Sequence, residues 1–285
     1  KQMEIKTIGV VGSGLMGAGI VEVCARSGYD VVVREINEEL LQAGLDGIGA
    51  SMDEAVKRGK IDVEARQTAW DRISGTTDLA DLSSSDLVIE AITENMELKK
   101  EIFAELDRRC PSQSILASNT SSLSITEIAS ATRRPEQIIG LHFFNPAPVM
   151  PLLEIVRALL TSEEVLDVAQ RFGASVGKTT VVAKDTPGFI VNLLLIPFLL
   201  DAVRAYENGM ATREDIDTGI RLGLNHPMGP LTLLDFVGLD TTLFVADAMY
   251  AEYKDARYAV PPLLRRMVMA GRLGRKSGAG VYDYS

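Results

Sequence analysis

The segment Ile8-Gly9-Val10-Val11-Gly12-Ser13-Gly14-Leu15-Met16-Gly17 constrains the fold of this chain more than any other. An apolar run leads into G-x-G-x-x-G, an amphipathic stretch follows, and a second apolar run, Val31-Val32-Val33, ends at Arg34-Glu35. That order predicts strand, tight turn, helix and parallel strand, and such a βαβ unit commits the chain to a parallel sheet. In the loop, Gly12 allows the turn, Gly14 lets a pyrophosphate approach the backbone, and Gly17 lets the helix pack closely on the strand. Ser13, Leu15 and Met16 complete the loop, where the helix N-terminus attracts phosphate charge. Glu35 sits about 20 residues on, where an acid is expected to take the ribose hydroxyls. Arg34 beside it could meet a 2′-phosphate, but Glu35 repels one, so NAD is favoured over NADP. The plain alternative, a glycine-rich turn without a ligand, has strand, helix and acid all against it.

Further short β-branched runs at 86–92, 114–118, 138–144, 152–156 and 179–183 alternate with helix-like stretches such as 96–110 and 162–172. The alternation predicts an α/β fold, a Rossmann-type doubly wound, mostly parallel sheet. Residues 38–70 show no strand signal and many charges, which predicts a helical hairpin inserted after the second strand, with Lys57, Arg58 and Lys60 projecting positive charge. After Asp185-Thr186-Pro187-Gly188 the strand signals stop, and helical periodicity runs to the end, broken at Asn225-His226-Pro227 and Pro261-Pro262. The expected organisation is therefore a dinucleotide-binding domain over 1–186 and an all-α domain over 187–285. The very apolar stretch 189–203 is interrupted by Asn192, Pro197 and Asp201, so it reads as a buried helix and not a membrane span. So apolar a helix in so small a domain suggests packing against a second copy, a homodimer.

The net charge of −10 argues against a nucleic-acid partner, whose phosphates demand clustered Lys and Arg, so an anionic ligand would need a local basic patch. Cys24 and Cys110 are the only cysteines, which gives no disulfide framework and points to a reducing compartment, the cytoplasm. Lys1 to Thr7 lack the basic start, apolar run and cleavage site of a signal peptide, so secretion is not expected.

His142, one of two histidines, follows an apolar run whose end should face the ligand crevice. Twelve positions on, Glu154 interrupts Leu152-Leu153-Glu154-Ile155-Val156, where a buried carboxylate is costly unless paired. Pairing would resolve that cost: Glu154 would fix one ring nitrogen of His142 and leave the other to take a hydroxyl proton. The bland alternative is a core histidine bonded to backbone and a glutamate at a sheet edge. His226, in Asn-His-Pro-Met-Gly-Pro, reads as a turn residue. Ser121 and Ser122 could be caps for a helix starting near Ser124, and Asn192 needs a polar partner if buried.

The chain resembles the L-3-hydroxyacyl-CoA dehydrogenases over nearly its whole length. The resemblance rests on Gly12-Ser13-Gly14-Leu15-Met16-Gly17-Ala18-Gly19-Ile20, Glu90-Ala91-Ile92, Ala117-Ser118-Asn119-Thr120-Ser121-Ser122-Leu123, His142-Phe143-Phe144-Asn145-Pro146, Lys184-Asp185-Thr186-Pro187-Gly188-Phe189-Ile190-Val191-Asn192 and Pro227-Met228-Gly229-Pro230. It implies that His142 is the general base, Glu154 its orienting partner, Ser121 a donor to the substrate oxygen and Asn192 a contact near a thioester carbonyl. By the same matching, Glu94, Lys99, Asn145 and Lys276 would lie along the nicotinamide half of NAD, while Ser51 and Arg58, reinforced by Lys57, would meet the CoA of an acyl-CoA thioester. Two departures stand out: Glu35 replaces the aspartate usual in this family, and Pro151 replaces a lysine that commonly follows Val-Met. A dehydrogenase for free hydroxyacids or sugar acids is the nearest rival reading, and a regulatory dinucleotide-binding protein a more distant one.

Overall fold

The structure, a computed structural model, describes residues 4–284. The chain forms two compact units that part between Thr186 and Pro187. The first opens with β1 (Thr7–Val11), α1 (Leu15–Arg26) and β2 (Asp30–Arg34). Next come α2 (Glu38–Lys57), α3 (Val63–Trp70) and β3 (Ile73–Thr76). β4 (Leu87–Glu90), α4 (Met96–Arg109), β5 (Ile115–Ser118) and α5 (Ile125–Ala129) follow. β6 (Ile138–Phe143), β7 (Leu152–Arg157), α6 (Glu163–Ser175) and β8 (Thr179–Lys184) complete the unit.

These strands make one sheet in the order β3-β2-β1-β4-β5-β6-β7-β8. Every pairing is parallel except β6 with β7. This is the doubly wound architecture expected from the alternating pattern, and β1, β4, β5 and β6 read as continuous apolar runs because helices cover both faces. The core is built from Ile8, Val10, Val31, Val33, Ile89, Ile139 and Leu141 of the strands, with Ile20, Cys24 and Phe172 of the helices.

The strand order reverses between β1 and β4, so a crevice opens at the carboxyl ends of those two strands, where such sheets take their ligands. The inserted hairpin is α2 and α3, started by Asn37 and Asp62, whose side chains accept from Leu40 N and Ala65 N. β3 escaped the strand reading: Ile73-Ser-Gly-Thr is four residues long and carries Gly75, ordinarily a strand-weakening residue. It is fixed by pairing, because Gly75 lies opposite Val33 and so close to α2 that a Cβ there would stand 3.1 Å from a Leu41 methyl.

The second unit contains α7 (Val191–Glu207), α8 (Arg213–Gly223), α9 (Pro230–Val237), α10 (Leu239–Tyr253) and α11 (Pro262–Met269). Leu199, Leu200, Leu231, Leu234, Ala246, Met249 and Leu264 form its core. Helical structure does not continue to the end, however. Residues 274–284 fold as a hook on the buried carboxylate of Asp235, which accepts from Val281 N, Tyr282 N and the Tyr284 hydroxyl at 2.7, 2.8 and 2.9 Å. Gly280 is required there, since a Cβ would fall 2.0 Å from an Asp235 oxygen. Among the described residues, no helix is long and apolar enough to cross a membrane.

Candidate active site

The glycine loop has the shape that its three glycines imply. Gly12 has φ +97°, and a Cβ on it would press 2.8 Å from Ala91 O. A Cβ on Gly17 would sit 1.9 Å from Gly12 O, so α1 touches the loop directly. Gly14, the N-cap of α1, has nothing within 4 Å of its Cβ position and no side-chain cap. The first amides of α1 are thus left to a ligand, and an anion fits them. Ser13 is buried, Leu15 exposed and Met16 half-buried.

Glu35 follows β2 and turns its carboxylate back to the loop: Oε2 accepts from Ser13 N at 2.8 Å and from Ser13 Oγ at 3.2 Å, while Oε1 accepts from Ile36 N at 2.9 Å. The neighbouring guanidinium is occupied elsewhere, with Arg34 Nε donating to Thr77 O at 3.2 Å. The Glu35 carboxylate is thus tied to the glycine loop, and the guanidinium of the adjacent Arg34 faces a carbonyl.

At the carboxyl end of β6, His142 lies directly across from Glu154 of β7. His142 Nδ1 and Glu154 Oε2 are 2.7 Å apart, and the glutamate is fully buried. The single antiparallel pairing in the sheet is what brings them together: in an antiparallel pair, opposed residues share a face with their Cβ atoms about 5 Å apart. An ionised Glu154 accepts from Nδ1–H, which leaves Nε2 as the nitrogen carrying a lone pair. The Phe144 ring packs 4.5 Å from the imidazole. The turn beyond, which contains exposed Asn145, is held by Lys178, whose ammonium donates to Ala147 O and Met150 O at 2.6 and 2.7 Å. Burial, with some help from Arg26, pushes the Lys178 pKa down. Pro151, the departure noted in the sequence, gives its carbonyl to Thr179 N at 2.8 Å and so starts the β7–β8 pairing.

A second cluster lies at the ends of β4 and β5. Ser121 Oγ donates to Glu94 Oε1 at 3.1 Å and Ser121 N to the same oxygen at 2.8 Å, while Thr120 Oγ1 donates to both Glu94 oxygens. Lys99 is 1% exposed, and its Nζ sits 2.6 Å from Glu90 Oε1 and 3.5 Å from Glu94 Oε2. Any contact of Lys99 with a cofactor would therefore run through its neighbours. Removing one member of such a buried ion pair costs about 3–5 kcal/mol, because the partner is left uncompensated. Asn119 ties this cluster to the histidine strand, its Oδ1 accepting from Phe143 N at 2.9 Å. Ser121 and Ser122 are not the caps of α5. Ser124 caps it, and Asp185 accepts from Ile125 N and Thr126 N.

The remaining expected residues make contacts of their own. Ser51, exposed on α2, donates to buried Glu22 at 2.5 Å. Arg58 pairs with Glu54 at 2.7 Å, whereas Lys57 and Lys60 are exposed beside it. In the second unit, Asn192 is half-buried in the first turn of α7. Lys276 holds both oxygens of Asp240 at 2.6 and 2.7 Å. Burial alone would raise the Asp240 pKa, but the Lys276 hydrogen bond and charge and the Thr241 amide hold it below the ordinary carboxylate range. His226 is exposed in the turn before α9, near the Phe198 ring.

Residues 7–186 match the NAD binding domain of 3-hydroxyacyl-CoA dehydrogenase, and residues 188–284 match the C-terminal domain of the same enzyme. The chain belongs to the 3-hydroxyacyl-CoA dehydrogenase family. It is 51% identical over 282 residues to the 3-hydroxybutyryl-CoA dehydrogenase of Mycobacterium tuberculosis, covering 98% of this chain and 99% of that one. The mitochondrial hydroxyacyl-coenzyme A dehydrogenase of Homo sapiens is 43% identical, with 100% and 93% covered. Among solved structures, the (S)-3-hydroxybutyryl-CoA dehydrogenase of Ralstonia eutropha superposes with a TM-score of 0.95 at 44% identity, over 99% of this chain and 100% of that one. Glu90, Thr120, Asn119 and Lys178 were not singled out from the sequence as site residues. Glu90, Asn119 and Thr120 lay inside the motifs that carry the resemblance without a role of their own, and Lys178 left no trace.

Proposed function

We propose that this protein interconverts (3S)-3-hydroxyacyl-CoA and 3-oxoacyl-CoA with NAD, with 3-hydroxybutyryl-CoA and acetoacetyl-CoA as its substrates. The buried His142–Glu154 pair at 2.7 Å carries the reading, since it supplies a proton acceptor beside the ligand crevice. NAD, when bound, supplies the hydride chemistry. The glycine loop from Gly12 to Gly17 would hold the pyrophosphate, and Glu35 the ribose. His142 Nε2 takes the C3 hydroxyl proton in oxidation and returns it in reduction. Glu154 keeps Nδ1 protonated and stabilises the imidazolium. Ser121 donates its hydroxyl to the reacting oxygen, with Glu94 and Asn145 lining the cofactor. The roles given to Asn192 and Lys276 in the second unit rest on the family resemblance, as do those of Ser51, Lys57 and Arg58 toward CoA.

The deciding assay follows absorbance at the reduced-nicotinamide band with acetoacetyl-CoA or free acetoacetate, and NADH or NADPH. NADH consumption with the thioester alone is expected. Preference for NADPH would overturn the reading of Glu35, and activity on free acetoacetate alone would move the protein to the hydroxyacid dehydrogenases. In the same assay, neutralising Lys57, Arg58 and Lys60 to Gln is expected to raise KM for the thioester by roughly 3- to 30-fold, a modest total suited to exposed phosphate contacts, at nearly constant kcat. An unchanged KM would place CoA elsewhere. A homodimer belongs to this reading and is supported by exposed Leu222, Leu224, Phe236, Phe244 and Met269 in the helical unit. Sedimentation at the mass of one 30.9 kDa chain would contradict it.

A further inference from the structure

Glu90 takes no part in the proton chemistry above, yet it is the best-anchored charge beside it. It ends β4 with no exposed surface, and both its oxygens are occupied: Oε1 by Ile92 N at 2.7 Å and Lys99 Nζ at 2.6 Å, Oε2 by Ser118 Oγ at 2.7 Å. We propose that Glu90 is a positioning residue for the reaction, holding the Lys99 ammonium away from Glu94 so that Glu94 is left to orient the Ser121 hydroxyl. The proposal rests on the reading of Ser121 as a donor to the substrate oxygen.

The argument is one of competition inside a buried cluster. Lys99 stands between two carboxylates, 2.6 Å from the fully buried Glu90 and 3.5 Å from Glu94, whose side chain is 28% exposed. Glu94 spends its acceptor capacity on Thr120 Oγ1, Ser121 N and Ser121 Oγ. These bonds fix the main chain at Ser121 and hold its hydroxyl in one rotamer. The hydroxyl has a single proton, so on meeting a substrate oxygen it turns about its Cβ–Oγ bond and exchanges its bond to Glu94 for one to the substrate, while the bond from Ser121 N to Glu94 keeps the residue in place. If Glu90 is made neutral, Lys99 remains buried and cationic, with Glu94 as the nearby anion of the cluster. Attraction between unit charges strengthens steeply where water is excluded, so the more mobile Glu94 closes on Lys99 and gives up Ser121. In Glu90→Gln the amide oxygen still accepts from Ile92 N, and the amide NH2 meets the Ser118 hydroxyl, which can turn to accept from it, so the strand end itself is preserved.

The test is a double-mutant cycle on the full-length enzyme, reading kcat and KM for acetoacetyl-CoA at saturating NADH. Glu90→Gln is expected to lower kcat by about 10- to 100-fold, with KM for the thioester within about threefold. In a Ser121→Ala background the same change should cost less than about twofold more, because the residue through which it acts is already gone. Glu90→Asp keeps the charge and serves if Glu90→Gln does not fold; a smaller loss, about 3- to 10-fold, should again vanish in the Ser121→Ala background. Losses that multiply in the double variants would overturn the proposal, since Glu90 would then act on stability or cofactor binding and not through Ser121. A normal kcat for Ser121→Ala would instead overturn the role of Ser121 itself, and this proposal with it, while leaving the His142 chemistry untouched.

Discussion

His142→Ala is expected to lower kcat with acetoacetyl-CoA by about two to four orders of magnitude and to leave NADH affinity, read by fluorescence titration, within a few fold. The size follows from removing the group proposed to exchange a proton with the substrate oxygen, and the selectivity follows from position. His142 lies at the carboxyl end of β6, whereas the glycine loop follows β1, with β4 and β5 lying between those strands. The loop is therefore not repacked by the substitution. Glu154→Gln provides the graded companion. Gln keeps the volume and can still accept from Nδ1–H, but it does not stabilise a positive imidazole, so turnover falls by less than in His142→Ala. Turnover retained in His142→Ala would remove the histidine from the mechanism, and with it the main support for an acid–base dehydrogenase on this sheet.

The second large effect belongs to Gly17. An alanine Cβ there would stand 1.9 Å from Gly12 O, a backbone atom that cannot rotate away, so α1 must shift from the loop. Gly17→Ala is expected to cost about 1–3 kcal/mol of stability, the usual penalty of overpacking, and to weaken NADH binding by at least about tenfold as the loop amides lose their alignment. Gly14→Ala separates the two effects, since its Cβ would enter open space in the ligand-free protein. That variant should melt at the native temperature and still bind NADH poorly, because the methyl group occupies the approach of the pyrophosphate. If Gly14→Ala bound NADH normally, the pyrophosphate would not lie against this loop.

Much of this was legible in the residues because it is local. The loop from Gly12 to Gly17 carries its own turn, helix start and close contact within ten positions. The strands β1, β4, β5 and β6 announce themselves because burial on both faces demands uninterrupted apolar runs. The inserted helices showed as a charged stretch without strand signal, although the caps Asn37 and Asp62, which reach only three residues, went unread. Glu154 drew notice for the same kind of reason: a carboxylate inside an apolar strand has to have a partner.

The rest depended on distances between residues far apart in the chain. β3 exists because Val31 to Arg34 offer it an edge to pair with, against the preference of its own Gly75. The ending of the helical unit as a hook follows from Asp235, more than forty positions before the amides it binds. That His142 meets Glu154 could be argued from cost, but the 2.7 Å contact requires β7 to run antiparallel in register, and no residue in either strand states its partner's direction. Lys99 makes the contrast plainest. Its spacing from Glu90 and Glu94 suggests only a charged helix start, and burial at 1% exposure turns the same three residues into a closed electrostatic cluster that reaches Ser121. Propensity, capping and periodicity act over a few residues and can be read in order, whereas burial and pairing are properties of the assembled sheet and arise only when its strands have found their neighbours.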